Sequence, residues 1–376
     1  MKSNNKVCII TAARSEYGLL KWIIDGVYHD PELDLQLVVT GAHLSEKHGL
    51  TYRFIEEDGY PIAAKVDMHL SSDDKAGIVR SMGKCSEGFA DAFDQLKPDV
   101  VVVLGDRYEL IPIVSAALVM GIPVAHLSGG DVTEGAIDNE VRNAVSMMSV
   151  LHFPGVESSA NNLRKILGAS ALIYPAGEPG LESFLRFELM SRSELAGNLQ
   201  LDINKKWCLV TLHPETKLGL EDNLNMVKNL FEAMRETEGV QFVISKANAD
   251  FGGVQINSFW EDAIKQDKNK YKLFTSLGHR RYLSYMRQAT GVIGNSSSGI
   301  IEAPFLGIPV INIGDRQKGR HLCNNVIQTN SDSDSLKKAF IKMLSQQTIV
   351  DNYYGDGHTS EYVVKTLKEW LNIRQS

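Results

Sequence analysis

Residues Thr290–Arg320 read TGVIGNSSSGIIEAPFLGIPVINIGDRQKGR. The segment opens on a short apolar strand, Gly291-Val292-Ile293, that runs into a polar turn, Gly294-Asn295-Ser296-Ser297-Ser298-Gly299. A helix carrying Glu302 follows, then a second strand, Pro309–Ile313, with Arg316 and Arg320 beyond it. Strand, tight turn, helix and strand in that order make the repeating unit of a parallel α/β sheet. The start of the helix offers free N–H groups and the positive end of a dipole, which suits a phosphate. Small residues let an anion approach the backbone, and the hydroxyls of Ser296 and Ser297 add donors. Glu302 has the chemistry to accept two hydrogen bonds from a ribose. Arg316 brings a planar fork of donors to the same anion. An ordinary capped turn is the plainer alternative. Three consecutive serines, a downstream glutamate and two arginines count against it.

The same rhythm extends in both directions. Strands are expected at Val7–Ala12, Leu35–Gly41, Val100–Gly105, Pro123–Leu127 and Val150–Phe153 in the first half. The second half repeats the series at Cys208–Leu212, Val240–Ser245, Lys272–Phe274, Gly291–Ile293, Pro309–Ile313 and Asn325–Gln328. Runs such as VVVVLG are apolar without alternation, which implies burial on both faces and hence parallel strands. Helical patterns lie between them, as at Tyr17–Tyr28 and Lys75–Leu96. Two such series predict two doubly wound, Rossmann-like α/β domains, placed at residues 1–180 and 181–358. The last segment, 359–376, reads as an amphipathic helix with Val363, Val364, Leu367, Trp370 and Leu371 on one face. Packing back on the first domain and capping its own domain are both open to it.

The 376 residues are 43% hydrophobic and 23% charged, an ordinary soluble composition, and the net charge of −7 argues against a nucleic-acid surface. Cys8, Cys85, Cys208 and Cys323 are too far apart in sequence for a zinc or redox motif, so a reduced, cytoplasmic protein is expected. No apolar run reaches membrane-spanning length, and MKSNNK leads directly into a strand without room for a signal peptide. No metal-ligand spacing occurs, and no cofactor is called for.

Further candidates stand where strands end, at the carboxyl edge at which open α/β sheets bind ligands. Arg14 and Ser15 follow the first strand, where a surface arginine is an equal reading. Gly105-Asp106-Arg107 ends the most apolar strand, as a structural ion pair or as a site. Ser128-Gly129-Gly130-Asp131 opens a glycine-rich loop that runs through Glu134 to Asp138, Glu140 and Arg142. Asp138 and Arg142 share a helix face at i, i+4. Carboxylates paired in a pocket can split their pKa values and serve as acid and base. His213-Pro214 ends the first strand of the second half, at the position that mirrors Arg14. Lys246-Ala247-Asn248-Ala249-Asp250 ends the next.

In order along the chain, GDR, GGD…G-A-I-D, HP, GNSSSG…E and RQKGR form a set that resembles the hydrolysing UDP-N-acetylglucosamine 2-epimerases of the sialic-acid pathway type. The resemblance covers nearly the whole chain. It implies the two-domain GT-B fold, with UDP held mainly by the second domain. It implies UDP contacts from Arg14, Ser15, Arg107, His213, Asn248, Leu277 (through its backbone), Ser296, Ser297, Glu302 and Arg316. The catalytic carboxylates implied are Asp106 and Asp138. The reaction implied is anti elimination of UDP to 2-acetamidoglucal, then hydration to N-acetylmannosamine. A homodimer or homotetramer is expected. The non-hydrolysing relatives resemble the chain less, because they carry an arginine-threonine-glutamate-arginine-proline segment where this chain has DRQKGR.

Two departures bear on the sugar. Animal and some bacterial members carry a glutamate directly before the Gly-Gly pair, where this chain has Ser128 and a loop longer by one residue. Asp131 or Glu134 is then expected to supply the missing carboxylate. Asn143 stands where many members have histidine. A 2,4-diacetamido-2,4,6-trideoxy sugar, as used in legionaminic acid synthesis, is therefore the alternative substrate. A GT-B glycosyltransferase and a nucleotide-sugar sensor are the alternative classes. Base and acid are not assigned among Asp106, Asp131, Glu134 and Asp138.

Overall fold

The computed structural model describes residues 4–70, 74–132, 137–215, 217–247, 252–347 and 349–375. Its backbone contacts divide into two units, residues 1–182 with 355–376, and residues 183–354.

Among the described residues the first unit carries β1 (Asn5–Thr11), β2 (Leu33–Thr40), β3 (Ile62–Val66), β4 (Val100–Leu104), β5 (Val124–Leu127), β6 (Leu151–Phe153) and β7 (Leu172–Ile173). They pair in parallel in the order β3-β2-β1-β4-β5-β6-β7. The order reverses between β1 and β4, which opens a crevice at their carboxyl ends. The continuous apolar runs follow from two covered faces. Val7, Ile9, Val100 and Val102 face one core with helix Arg14–His29. Cys8, Ile10, Val101 and Val103 face the other with helices Lys75–Leu96 and Leu110–Val119.

The second unit repeats the plan with β8 (Lys206–Thr211), β9 (Val240–Ser245), β10 (Tyr271–Phe274), β11 (Gly291–Gly294), β12 (Val310–Ile313) and β13 (Val326–Thr329). The order is β10-β9-β8-β11-β12-β13, again parallel, with the reversal between β8 and β11. Cys208 and Val210 face one core, Trp207 and Leu209 the other.

The closing helix, Thr359–Gln375, belongs to the first unit. Val363, Val364, Leu367 and Leu371 enter the same core as helix Arg14–His29. The two helices touch closely: a Cβ on Gly26 would stand 3.0 Å from Val364 Cγ2. Lys368 Nζ lies 3.0 Å from both Asp30 Oδ2 and Glu32 Oε1. Buried Glu182 accepts from Ser360 N–H at 2.8 Å and Ser360 Oγ at 2.5 Å, which anchors the start of the helix. All four cysteines are buried and unpaired. No described helix is long and apolar enough to cross a membrane.

Two details depart from the sequence expectation. Strands β3 and β7 were not expected; β3 is a half-exposed edge strand and β7 has two residues. The first helix begins at Arg14 rather than Tyr17, because Glu16 caps it.

Candidate functional site

At the end of β1 the backbone turns into helix Arg14–His29 at Ala12-Ala13. Glu16, at the third position of the helix, folds back so that its Oε2 accepts from Ala12 N–H at 2.6 Å and Ala13 N–H at 3.2 Å. This is half of a capping box, with the carboxylate satisfying two backbone donors. Arg14 and Ser15 therefore sit exposed on the first turn, and the Arg14 guanidinium lies 4.4 Å over the Phe54 ring. In the turn Gly41–Leu44 that follows β2, buried His43 hydrogen-bonds Thr11 Oγ1 at 3.1 Å and Thr51 Oγ1 at 2.8 Å. Burial pushes its pKa down to about 4, so the ring is neutral.

At the end of β4, Asp106 and Arg107 do not pair with each other. Asp106 is bound by the buried Arg142 guanidinium. Arg107 turns to Glu109, donating from Nη2 at 2.6 Å and from Nε at 3.3 Å. Arg142 lies near Asp138 on their shared helix face, and its charge acts on that carboxyl, but its guanidinium is bonded to Asp106. Arg142 spans from its helix to Asp106 and to the Asp131 carbonyl, 2.7 Å away. The Asp138 carboxyl is raised in pKa, by desolvation first and then by the negative charge of Asp106. Asp106, Asp138 and Arg142 thus come together at one strand edge. Glu140 is exposed.

Asp131 sits apart, with its Oδ1 accepting from Ser159 Oγ at 2.5 Å. The loop before it is sterically fixed. Ser128 has φ +59°, and Gly130 has φ +82° with no room for a Cβ, which would meet Ser159 O at 2.2 Å. Beneath the loop, fully buried His126 holds the Gly105 carbonyl through Nε2 at 2.8 Å and Ser146 Oγ through Nδ1 at 3.0 Å. Burial pushes its pKa down to about 3, so Nε2–H is the donor to Gly105 and Nδ1 accepts from the hydroxyl. Glu134 lies outside the described residues, as does Asn248 in the second unit.

In the second unit the serine turn is built on Asn295, which is fully buried. Its Oδ1 accepts from His213 N–H and its Nδ2 donates to His213 O, both at 2.8 Å. Its own carbonyl accepts from Arg316 Nη1 at 3.1 Å and Gln317 Nε2 at 2.9 Å. One side chain and one carbonyl therefore bring together His213, the serine turn and Arg316. Buried Glu215 adds a second brace by accepting from Asp315 N–H at 2.9 Å. Gly294 is obligatory, since a Cβ there would stand 1.9 Å from Thr211 O.

Helix Ser297–Phe305 starts immediately after Ser296, whose side chain does not cap it. Ser296 Oγ instead lies 3.0 Å from Ser298 Oγ. Glu302, part-buried one turn along, receives Tyr282 Oη at 3.3 Å. Desolvation pushes its carboxyl up to about 7 against that hydrogen bond. Leu277 is buried, and its carbonyl accepts from Arg281 Nε at 2.8 Å. Sequence reading had passed over Glu16, Glu109, His126, Asn295 and Glu215. Of these only Asn295 lay inside a recognised motif. Among the described residues no group of three His, Cys, Asp or Glu is arranged to hold a metal ion.

Two parallel-sheet Rossmann-like domains in succession, each with polar side chains gathered at its switch point, define a GT-B-type protein. The fold matches the structure of UDP-GlcNAc 2-epimerase from Neisseria meningitidis bound to UDP-GlcNAc, with a TM-score of 0.77 at 18% identity over 97% of this chain and 100% of that one. The family model for UDP-N-acetylglucosamine 2-epimerase matches residues 26–368, and the chain belongs to that family of enzymes. It is 39% identical to the GDP/UDP-N,N'-diacetylbacillosamine 2-epimerase (hydrolyzing) of Campylobacter jejuni, over 92% of this chain and 89% of that protein. It is 30% identical to the UDP-N,N'-diacetylbacillosamine 2-epimerase (hydrolyzing) of Legionella pneumophila, over 96% of this chain and 95% of that protein.

Proposed function

We propose that the chain is a hydrolysing 2-epimerase acting on a UDP-2,4-diacetamido-2,4,6-trideoxyglucose. The products are UDP and the free 2,4-diacetamido-2,4,6-trideoxymannose. The observation that carries the chemistry is the Asp106–Arg142–Asp138 group. One carboxylate is fixed by a buried guanidinium, and its neighbour is raised in pKa by burial and by the first. A carboxylate held by an arginine beside a second carboxyl raised in pKa suits proton removal and return.

In the proposed step the carboxylate removes the C2 proton. The C2–H electron pair forms the C1–C2 double bond, and the C1–O pair leaves with UDP. Water then adds across the glycal, with hydroxyl to C1 and a proton to C2. Ser296, Ser297, the helix start, His213 and Arg316 of the second unit stabilise the departing diphosphate. In the first unit Arg14, Ser15 and Arg107 are the proposed nucleotide contacts. Glu302 takes the ribose. Asn248 and the Leu277 backbone complete the proposed nucleotide contacts. Asp131 and Glu134 remain the candidates to replace the glutamate absent at Ser128.

The choice of sugar is supported by the two hydrolysing relatives, both named for N,N'-diacetylbacillosamine, and by Ser128 and Asn143 in place of the glutamate and histidine of other members. The family model's own name favours a second reading, UDP-N-acetylglucosamine converted to N-acetylmannosamine for a sialic-acid route. The test is to incubate the enzyme in D2O with each sugar nucleotide separately and follow products by NMR. Higher kcat/KM on the diacetamido substrate, with deuterium at C2 of the product, is expected. Preference for UDP-N-acetylglucosamine transfers the assignment to the second reading. Product keeping its original C2 hydrogen, or no turnover without an acceptor, overturns the epimerase.

A further inference from the structure

Glu16 and Glu109 hold one arginine between them. Fully buried Glu109 takes the Arg107 guanidinium on Oε1, with Nη2 at 2.6 Å. Glu16, 6% exposed, points its Oε1 at Arg107 Nε from 3.8 Å while Oε2 is occupied by Ala12 and Ala13 N–H. Each carboxylate keeps one buried oxygen, Glu16 Oε1 and Glu109 Oε2, without a hydrogen-bond partner among the described residues. The Arg107 side chain is 39% exposed, so the cluster has a face open to a ligand.

Two carboxylates on one guanidinium leave a buried excess of negative charge, which is costly in a poorly solvated site. The Ala12 and Ala13 N–H groups offset it only in part, and the surrounding side chains do not relieve it. His43 is neutral, and the Cys85 thiol, pushed up to about 12 by burial first and then by Glu109, is neutral too. Arg142 is engaged by Asp106, and Arg14 lies on Phe54. Asp138, further along the edge, adds to the negative side. An anion arriving at Arg107 deepens the excess, and a proton cancels it. Of the two carboxylates, Glu16 is the one to accept that proton. Glu109 makes the short charge-assisted bonds, whereas Glu16 stands off with its free oxygen toward the arginine. Desolvation pushes Glu16 up to about 7, within reach of such a change.

We propose that Glu16 is a positioning residue for Arg107 that takes up a proton from solvent when the diphosphate of the nucleotide reaches the guanidinium. The proposal rests on the reading of Arg107 as a diphosphate contact. By linkage, an anion that raises the pKa of a carboxyl through the working pH draws in a proton from solvent.

The test is calorimetry of UDP binding to the full-length enzyme at pH 7, in buffers of different ionisation enthalpy, for wild type, Glu16→Gln and Arg107→Ala. UDP's own terminal phosphate titrates nearby, so the quantity read is the difference in protons between wild type and Glu16→Gln. Wild type is expected to take up more, and Arg107→Ala to bind UDP at least about tenfold more weakly, the loss of one charge-assisted contact. Equal proton numbers in wild type and Glu16→Gln, with weakened binding in Arg107→Ala, overturn the role of Glu16 and leave Arg107's in place. Unweakened binding in Arg107→Ala removes the diphosphate contact and the proposal with it. If Glu16→Gln does not fold, the infrared difference spectrum of the wild type decides. A new protonated-carboxyl band on adding UDP supports the proposal, and its absence overturns it.

Discussion

Asp106 and Asp138 stand at one strand edge but are held differently, and mutation should separate them. Asp106 neutralises the buried guanidinium of Arg142. Asp106→Asn should therefore cost about 1–3 kcal/mol of stability as well as activity. Asp138 makes no such ion pair among the described residues. Asp138→Asn should lower kcat by about 100- to 10,000-fold, the scale of general acid–base catalysis, while the melting temperature and UDP affinity stay close to wild type. Parallel kcat and melting measurements check this; a stable Asp138→Asn enzyme with unchanged kcat would exclude Asp138 from the chemistry. Glu302 gives a pH prediction. Its carboxyl sits at about 7 in the free protein, so the form able to accept two ribose hydroxyls is lost as pH falls below that. The contribution of Glu302 to UDP affinity should decline from pH 8 to pH 6, opposite in sign to that of Glu16, and is read by calorimetry as the difference between wild type and Glu302→Gln. Motif residues of this kind were legible because they repeat a recognisable order along the chain. Their partners were not. Helix spacing places Arg142 on one face with Asp138, whereas its guanidinium reaches Asp106, 36 residues away in sequence and just past β4. Glu16 and Glu109 are single carboxylates without a pattern, and only tertiary proximity to Arg107 gives them meaning.

At the level of elements, the strand-to-helix turns carry most of the specification. Gly294 has φ +136°, and its missing Cβ leaves room for the Thr211 carbonyl at the junction of β11 and β8. Gly294→Ala should therefore destabilise the second unit by on the order of 3 kcal/mol or more, because neither backbone can give way. Urea unfolding of the variant checks this; a loss under about 1 kcal/mol, the level of ordinary surface changes, would show that the turn relaxes. The central strands were readable because burial on both faces enforces unbroken apolar runs such as Val100–Leu104. Strand β3, IAAKV, was not. It sits at the sheet edge with alternating exposure, and Ala-Ala-Lys has little strand preference of its own. Asn295 lies inside the GNSSSG motif, but nothing in its sequence neighbourhood marks its bracing part, because its partners are distant. Four hydrogen bonds at that one residue belong to loops more than 20 and 80 positions away.

Over the whole molecule, buried ionisable groups set opposite pH trends. His43, His126 and His152 are depressed to about 4, 3 and 4, against about 6.5 when unfolded. As pH falls below 6.5 the unfolded chain gains protons that the native one refuses, so stability is lost. Glu16 and Glu302, at about 7 in the native protein against 4.5 unfolded, act the other way and add stability as pH falls from 7 to 4.5. Their balance predicts a shallow maximum in melting temperature between about pH 6 and 7. The double variant Glu16→Gln/Glu302→Gln should lose the rise on its alkaline side. Differential scanning calorimetry from pH 8 to pH 5 reads both, and an unaltered curve in the variant would contradict it. Leu367, fully buried against helix Arg14–His29, tests the closing helix. Leu367→Ala should cost about 2–5 kcal/mol, confined to the first unit. A single shifted transition spanning both units would show that they unfold together.

That closing helix also has a consequence for birth on the ribosome. Helix Arg14–His29 is made early, but the apolar side chains that cover it, Val363 to Leu371, are made only after the entire second unit. During translation at about 5–20 residues per second, the first unit waits tens of seconds with this face uncovered. A nascent chain stalled on a short added C-terminal linker, so that Tyr354 has left the exit tunnel while residues 355–376 are still inside it, should accordingly hold a second unit already resistant to protease, while the first stays cleavable and a substrate for chaperones. Release of residues 355–376 from the exit tunnel should then close it.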